Sequence, residues 1–258
     1  MKIISVFNQK GGCSKTSTCC NVGAALASLG KNVLLIDCDP QANLTLSVGV
    51  DDETLDKTIY NLLTTKKLEI ELINEVILKT QYENLSIIPS DITLSDAEIN
   101  LSNMISRETI LKRITSLVDK NLDYDYVLID CPPSLGLLSI NALCASNSII
   151  VPVSPNFFSL KGIKHLLETI DAVKTSLNPT LDILGVLITQ FDSRKNMSKT
   201  IQETLRDYFG DKVFKTVIRT DSQVEYSQDN MTPVIYYSKK SKAYTDYMSL
   251  AKEMLSIV

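Results

Sequence analysis

Short runs of Ile, Val and Leu recur along the chain and alternate with longer amphipathic stretches. The runs are apolar at successive positions, as at 33–36, so each predicted strand is expected to be covered on both faces. Buried strands separated by helix-length segments are typical of an α/β fold, a mostly parallel twisted sheet with helices on both faces. The predicted strands are 2–7, 32–37, 85–88, 125–130, 148–153, 181–189 and 213–218.

The amphipathic stretches predict helices between these strands. Gly30 stands just past the first of them, where glycine is a common stop signal. No repeat or linker-like composition divides the chain, so residues 1–258 are predicted to form a single domain. The irregular segment 51–84 is predicted to be a small peripheral helical insertion over one sheet edge. The predicted helices are 15–29, 93–102, 106–120, 135–145, 159–177, 198–209 and 241–257.

The composition narrows the class of protein. With 44% hydrophobic and 22% charged residues, the chain is neither disordered nor fibrous. Its six cysteines include no C-x-x-C pair, and its single histidine, His165, has no ligand neighbour, so reduced buried thiols are expected rather than a zinc site. There is no signal-peptide pattern and no apolar run of membrane-spanning length, which predicts a cytoplasmic protein.

A loop with two adjacent glycines joins the first strand to the first helix and ends in Lys15 and Thr16. The arrangement suits a polyphosphate, because backbone N–H groups can surround the anion and the helix dipole adds positive potential. The strict G-x-x-x-x-G-K-[ST] pattern fails twice, with Gln9 and Ser14 at its glycine positions. The candidate phosphate-binding residues are Lys10, Gly11, Gly12, Cys13, Ser14, Lys15, Thr16 and Ser17.

Three aspartates stand at the ends of two other predicted strands. Asp37 and Asp39 stand at the C-terminal edge of the strand at 32–37, and Asp130 ends the strand at 125–130, as a Walker B aspartate would. Ligands of open α/β sheets lie beyond the carboxyl ends of the strands, so these acids and the loop are expected to meet at one crevice. Any one of them, Asp130 above all, could instead be a helix cap or turn residue.

Together these segments resemble the ParA/Soj family of partitioning ATPases, which carry a deviant Walker loop. The likeness rests on 9–16, on 35–45 and on 130–134, and it extends over nearly the whole chain. It implies a P-loop ATPase with ATP and Mg²⁺ as cofactors, slow unless stimulated, that forms a homodimer with ATP. It also implies non-specific DNA binding, a ParB-type partner, segregation of a plasmid or chromosome, and association with the nucleoid in the ATP-bound state.

The resemblance also implies roles for single residues. Lys10 looks like the signature lysine that reaches the partner subunit's nucleotide, and Lys15 holds the β and γ phosphates of its own ATP. Asp39 resembles the residue that orients the attacking water. These roles suit phosphoryl transfer, which depends on positioning and on charge stabilisation. The metal-site residues implied are Thr16, Asp37 and Asp130, the last acting through water.

Nucleotide identity is indicated by the residues after the strand at 181–189. A GTPase is expected to have Asn-Lys-x-Asp there, whereas this chain has Thr189, Gln190, Phe191 and Asp192. Without the lysine of that motif GTP loses support, and ATP is favoured mostly because the family resemblance implies it.

The chain departs from the family pattern at two places. Ser14 stands where glycine is usual, and serine is expected to be tolerated there if its φ is negative, with a slow or altered hydrolysis step. In the segment 217–225, Arg219 takes the place of a usual proline and Gln223 that of a later arginine. The second departure weakens the expectation of one DNA contact.

The net charge of −4 hides an uneven distribution. Residues 51–98 hold 11 acidic against 4 basic residues, whereas residues 194–242 hold 10 basic against 6 acidic. The basic stretch is interpreted as a surface for DNA phosphates, with a solvated helix face as the plain alternative. Arg194 matches a position where the family carries a DNA-contacting arginine. The candidate DNA-binding residues are Arg194, Lys195, Lys199 and Arg219.

Two other functions stay open. A MinD-like membrane-cycling ATPase would need a C-terminal amphipathic anchor with a basic polar face. The tail from Ser241 carries only Lys242 and Lys252 as bases, and its apolar residues predict a helix packed on the sheet, so no membrane partner is expected. The other alternative, motivated by Ser14, is a catalytically weak nucleotide switch that acts as a regulatory protein.

Overall fold

The computed structural model describes residues 1–155 and 157–257, without side-chain detail for 157–161. In chain order the strands are β1 (Lys2–Val6), β2 (Val33–Asp37), β3 (Leu78–Lys79), β4 (Leu85–Ile88), β5 (Tyr126–Asp130), β6 (Ser148–Val153) and β7 (Asp182–Ile188). They pair into one seven-stranded sheet in the order β3-β4-β2-β5-β1-β6-β7. All neighbouring strands are parallel except β3 and β4, which are antiparallel at one edge.

Helices connect these strands and cover both faces of the sheet. In chain order they are α1 (Lys15–Ser28), α2 (Asn43–Ser47), α3 (Ile59–Thr64), α4 (Ile70–Val76), α5 (Ala97–Ser102), α6 (Ile110–Asn121), α7 (Leu137–Ala145), α8 (Phe157–Ser176), α9 (Asn196–Phe209), α10 (Ser222–Asp229), α11 (Val234–Tyr237) and α12 (Lys242–Ile257). One face of the sheet carries α3 to α9, and the other carries α1, α2, α11 and α12. The bounds of the predicted helices shift by four residues at most.

The strands are buried on both faces, as their unbroken apolar runs predicted. In β2, Leu34 and Ile36 belong to one core cluster, whereas Val33 and Leu35 belong to the other. Helix α1 lies so close to β2 that a Cβ at Gly23 would be 2.6 Å from the Leu35 side chain. A side chain at Gly23 would therefore displace Leu35, at a cost of about 1–3 kcal/mol. The predicted fold class is confirmed.

The predicted strand at 213–218 is wrong. This segment runs beside β7 with one isolated bridge, between Val186 and Val213, and the backbone N–H groups of Phe214 and Ile218 donate to the carbonyl oxygens of Val186 and Ile188. The backbone N–H groups of Lys215 and Thr216 instead donate to the carboxylate of Glu253 on α12, at 2.7 and 3.0 Å. Successive N–H groups of a strand point to opposite sides, so the Thr216 N–H, between those of Phe214 and Ile218, is the donor that Glu253 withdraws from a continuous ladder with β7.

The segment 51–84 contains the predicted small helices, α3 and α4, and also the edge strand β3. The helices contribute fully buried side chains to the larger core cluster, among them Leu62, Leu63 and Ile73. Burial of each of these side chains contributes roughly 1.5–3 kcal/mol. The segment is thus bound to the rest of the chain through its apolar residues, while its acidic residues face the solvent.

The six cysteines are buried and unpaired, as predicted. Burial raises the pKa of the Cys19 and Cys38 thiols well above the ordinary value. In the part of the chain that the structure describes, no group of three or more His, Cys, Asp and Glu side chains is arranged to hold a metal ion. The thiols therefore act as small core residues.

Candidate nucleotide-binding site

A cleft of about 780 Å³ opens beyond the carboxyl ends of the central strands. The chain leaves β1 through the loop at 7–14, forms α1, and returns as β2 on the far side of β5. The strands after β5 lie on the other side of β1, so the cleft is at the point where the winding direction of the sheet reverses. Its walls come from the loop, from 39–41 with α2, from 132–134 and from the end of α10.

Hydrogen bonds within the loop at 7–14 and from Lys15 to it fix its conformation. The Lys10 backbone N–H donates to Asn8 Oδ1 at 3.0 Å, and Lys15 Nζ lies 3.3 Å from the Lys10 carbonyl oxygen. Helix α1 begins at Lys15 and has no acidic residue in its first turn. The positive end of its dipole is therefore not neutralised locally, and it faces the cleft with the Lys15 ammonium.

Ser14 corrects one expectation. Its backbone is left-handed, with φ of +68°, and not in the negative-φ region that serine was expected to need. The conformation is disfavoured for a residue with a Cβ. The Ser14 hydroxyl accepts a hydrogen bond from Gln190 Nε2 at 3.0 Å, which ties the loop to the end of β7.

The two aspartates at the carboxyl end of β2 have different environments. Asp37 is fully buried and accepts hydrogen bonds from the backbone N–H and the hydroxyl of Thr45, at 2.9 and 2.8 Å, and from the Asp39 backbone N–H at 3.1 Å. Burial raises the pKa of Asp37 to about 6, while the Thr45 bonds act against the shift. Asp39 lines the cleft. Asp37 thus holds the 37–45 turn that presents Asp39.

Asp130 lies beneath the loop with no exposed surface. Among the described residues, neither carboxylate oxygen of Asp130 has a hydrogen-bond partner within normal limits. Burial and the charge of Asp37 raise the pKa of Asp130 well above its ordinary value, while the nearby Thr16 hydroxyl lowers it. An unpartnered buried carboxylate next to a hydroxyl fits a Mg²⁺ site that retains water, because this ion prefers oxygen ligands and gives up water reluctantly.

The structure brings most of the predicted site residues to this one cleft. Lys10 and Cys13 are exceptions among the loop residues, since neither is among the residues that line the cleft of a single chain, and Cys13 is buried. Asp37 and Asp130 lie buried under the cleft floor. The predicted residues that line the cleft are Gly11, Gly12, Ser14, Lys15, Thr16, Ser17 and Asp39.

Helix α10 also contributes to the cleft, which was not predicted from the sequence. Gln228 and Asp229 at its end line the cleft, and Gln228 Nε2 donates to the Ser17 hydroxyl at 3.0 Å. The available signal was Asp221, whose side chain caps α10 by accepting from the Gln223 backbone N–H at 3.0 Å. An aspartate directly before a polar helical segment is a helix-start signal.

The basic residues lie apart from the cleft. Lys195 and Lys199 are exposed at the beginning of α9. The Arg194 side chain, 88% exposed, pairs with both carboxylate oxygens of Asp192 at 2.9 and 2.8 Å. Arg219 makes a backbone bridge beside this loop, but its guanidinium is held by the carboxylate of Asp246 on α12, with the shortest distance 2.7 Å.

A parallel sheet with a glycine-bearing loop between its central strand and a helix, and with aspartates at the ends of the neighbouring strands, defines the P-loop nucleotide-binding class. Residues 1–183 match the family model described as an AAA domain. The chain belongs to the ParA/Soj family of partitioning ATPases.

Relatives of known name match this chain over nearly its full length. It is 44% identical to the sporulation initiation inhibitor protein Soj of Bacillus subtilis over 253 residues, covering 98% of each chain. It is 38% identical to the chromosome partitioning protein ParA of Caulobacter vibrioides, covering 99% of this chain and 94% of the relative.

The fold also matches solved structures. The structure of cobyrinic acid a,c-diamide synthase from Mycobacterium smegmatis, with bound ATP analog and magnesium, superposes with a TM-score of 0.83. It is 33% identical to this chain, and the match covers 99% of this chain and 94% of that protein.

Proposed function

We propose that this protein is a Mg²⁺-dependent ATPase that dimerises with ATP, binds DNA without sequence preference and segregates a plasmid or chromosome with a ParB-type partner. The observation that carries the proposal is the cleft, where Lys15, Thr16 and Asp39 meet above the unpartnered Asp130 carboxylate. The relatives named as partitioning proteins support the proposed function. The ATP analog and magnesium in the similar solved structure support the proposed cofactors.

Each residue of the cleft has a distinct part in the proposed reaction. The loop backbone and Lys15 would bind the β and γ phosphates, and the Thr16 hydroxyl would be a ligand of the metal. When bound, Mg²⁺ would supply positive charge at the phosphate oxygens. Asp130 would hold the metal through a water molecule, and Asp39 would orient the water that attacks the γ phosphate. Correct positioning matters most here, because the transition state is loose.

Lys10 is proposed to act on the nucleotide of a second subunit. Because its side chain is absent from the lining of its own cleft, a role across a dimer interface is consistent with its position. The test is the molar mass in solution with ADP and then with a non-hydrolysable ATP analogue. A dimer is expected only with the analogue, and a monomer in both conditions would reject the proposed cycle.

DNA binding is proposed for the exposed basic residues at the start of α9. A single subunit offers few phosphate contacts, whereas a dimer places two patches on one duplex and sums them. Each contact steepens the dependence of log K on log salt by roughly 0.9. Binding is therefore expected to require the ATP analogue, to fall steeply with salt, and to be alike on unrelated duplexes; loss of any of these would reject this part of the proposal. Binding of this kind would place the ATP-bound protein on the nucleoid.

The membrane-cycling alternative is disfavoured by α12. Its apolar side chains, including Tyr247, Leu250 and Met254, are buried against the rest of the protein. In the two described ranges, no helix has both the length and the apolar character for a membrane span. The discriminating assay is sedimentation with anionic liposomes and ATP, in which this protein is expected to stay in the supernatant.

The weak regulatory switch is the second candidate, and the left-handed Ser14 backbone favours it. A disfavoured conformation at the γ-phosphate end of the loop could leave nucleotide binding intact while in-line attack is misaligned. Turnover measured with and without DNA separates the two functions. Turnover that no DNA or partner raises above background would favour the switch.

A further inference from the structure

Three hydrogen bonds tie the end of β7 to three consecutive residues of the phosphate loop. The hydroxyl of Thr189 donates to the Cys13 carbonyl oxygen at 3.1 Å. The Gln190 side-chain amide donates to the Gly12 carbonyl oxygen and to the Ser14 hydroxyl, both at 3.0 Å. None of the roles described above uses Gln190.

Gln190 and Ser14, whose side chains are hydrogen-bonded to each other, both have left-handed backbones. Ser14 has φ of +68° and Gln190 has φ of +52°. Such conformations are disfavoured for residues with a Cβ, and they persist where surrounding contacts hold them. The bond between the two side chains is a contact of this kind, and it links residues 176 positions apart in the sequence.

The orientation of the Gln190 amide follows from its partners. A carbonyl oxygen only accepts, so the amide nitrogen, and not the amide oxygen, must face Gly12. Both amide hydrogens are then used, one by Gly12 and one by Ser14. The Ser14 hydroxyl accepts in this bond, which leaves its own hydrogen available to an acceptor in the cleft that Ser14 lines.

We propose that Gln190 is a positioning residue for nucleotide turnover and that it acts as a pair with Ser14. The inference rests on the proposed ATPase function. Gln190 fixes the turn at 12–14 so that the backbone N–H groups of the loop stay directed at the terminal phosphates. Ser14 makes this clamp necessary, because a glycine would adopt the same φ without help.

The experiment is a double-mutant cycle on ATP hydrolysis, with kcat and KM measured for the wild type, Ser14→Gly, Gln190→Met and the double variant. Methionine keeps the length of the side chain and removes both donors. In the wild-type background, Gln190→Met is expected to lower kcat about tenfold, with KM changed less than about twofold. In the Ser14→Gly background, the same change is expected to alter kcat less than about twofold.

Gln190 is exposed, so its replacement is compatible with folding, and thermal melts of each variant check this. The matched control is Gln202→Met on α9, expected to keep wild-type kinetics. Equal losses in the two backgrounds, a change in KM alone, or no loss from Gln190→Met would each overturn the proposal. Failure of the proposed function is seen separately in the wild type, as absence of both fluorescent ATP-analogue binding and hydrolysis, and it would overturn this inference as well.

Discussion

Asp37 and Asp130 are register partners at the carboxyl ends of the neighbouring parallel strands β2 and β5. Both side chains are fully buried, yet only Asp37 is hydrogen-bonded among the described residues. Burial raises the pKa of each, and the charge of Asp37 further raises that of Asp130. The pair is therefore costly to ionise without a cation, which is the electrostatic property expected of a metal-binding site in its metal-free state.

This pair predicts how stability depends on pH. The pKa of Asp37 rises from 3.8 to about 6 on folding, so the folded state binds more protons between these values. The free energy of unfolding then falls as pH rises through that interval, by up to about 3 kcal/mol for this one group. Metal-free protein is expected to lose stability between pH 4 and pH 6.5 from this source, and Mg²⁺ with nucleotide is expected to restore it at pH 7.5.

Asp130→Asn tests the cause of this loss. The variant removes a buried carboxyl group whose ionisation is opposed by burial and by the charge of Asp37. The metal-free variant is therefore expected to be more stable than wild type at pH 7.5, by about 1–3 kcal/mol or roughly 2–8 °C in Tm. Its ATP turnover is expected to be lost. Asp123→Asn, at an exposed carboxylate, is the control. The measurement is the Tm of each protein in EDTA. An Asp130→Asn variant less stable than wild type would contradict the claim that the buried Asp130 carboxyl destabilises the metal-free protein.

The central sheet and the position of the site could be predicted because they depend on local signals. Unbroken apolar runs mark strands covered on both sides, and acids directly after such runs, like Asp130, must lie at one edge of a parallel sheet. Each of these signals is contained in a segment of a few consecutive residues. They predicted six of the strands and the convergence of the loop with Asp39.

What could not be predicted depends on contacts between distant segments. The run at 213–218 is as apolar as a strand, but its donors are taken by Glu253 from α12. The φ of Ser14 is held by Gln190, which lies 176 positions away. The free charge expected on Arg219 is bound by Asp246. No local pattern contains these partners, so the roles of these residues could be predicted only from residue type.

Replacements of Lys15 and Lys10 are expected to separate nucleotide binding from dimerisation. Lys15→Ala removes the buried cation at the start of α1 and is expected to weaken ATP-analogue binding by at least about a hundredfold. Lys10→Ala is the matched loop variant, expected to bind nucleotide normally but to lose dimerisation and turnover. Titration of a fluorescent analogue and light scattering give the two readouts. Unchanged affinity in Lys15→Ala would reject the phosphate-loop assignment, and a Lys10→Ala protein that dimerises would reject the role in trans.

Asp39 and Asp37 are expected to differ when replaced. Asp39→Ala should still bind Mg-ATP and dimerise, but it should lose hydrolysis, because a carboxylate that orients water acts mainly in the transition state. Asp37→Ala should instead destabilise the protein, because Thr45 and the Asp39 backbone lose their buried acceptor. Melting curves and trapped-dimer assays distinguish them. If Asp39→Ala cannot bind nucleotide, the two roles must be exchanged.

The two arginines predicted to contact DNA are expected to behave differently. Removal of Arg219 leaves Asp246, whose side chain is only 9% exposed, without its charged partner. Since Arg219 itself is 43% exposed, the cost is about 1–2 kcal/mol after allowance for solvent screening. Arg219→Ala is therefore expected to lower Tm and to change DNA affinity little at a temperature where the variant is folded. A large loss of DNA affinity with unchanged Tm would restore Arg219 as a direct contact.

Arg194 is the better candidate for a direct contact with DNA, but its guanidinium is hydrogen-bonded to the carboxylate of Asp192. The Asp192 carboxylate accepts two hydrogen bonds from the Arg194 guanidinium, and these bonds hold the pKa of Asp192 well below its ordinary value. A phosphate would have to compete with this carboxylate for the same donors. Arg194→Ala is expected to weaken binding on any duplex and to flatten the salt slope by about two per symmetric dimer.

Asp192→Asn is expected to have the opposite effect and to strengthen DNA binding. The asparagine keeps the Oδ1 atom that accepts from the Arg194 backbone N–H at 3.1 Å, so the turn before α9 is retained while the competing charge is removed. Asp56→Asn, at an exposed acid in the acidic segment, changes the net charge equally and serves as the control. Anisotropy titrations with the ATP analogue at several salt concentrations measure all three variants. If Asp192→Asn binds no more tightly than Asp56→Asn, the Arg194 guanidinium does not reach the phosphates, and the contact must be made by Lys195 and Lys199 alone.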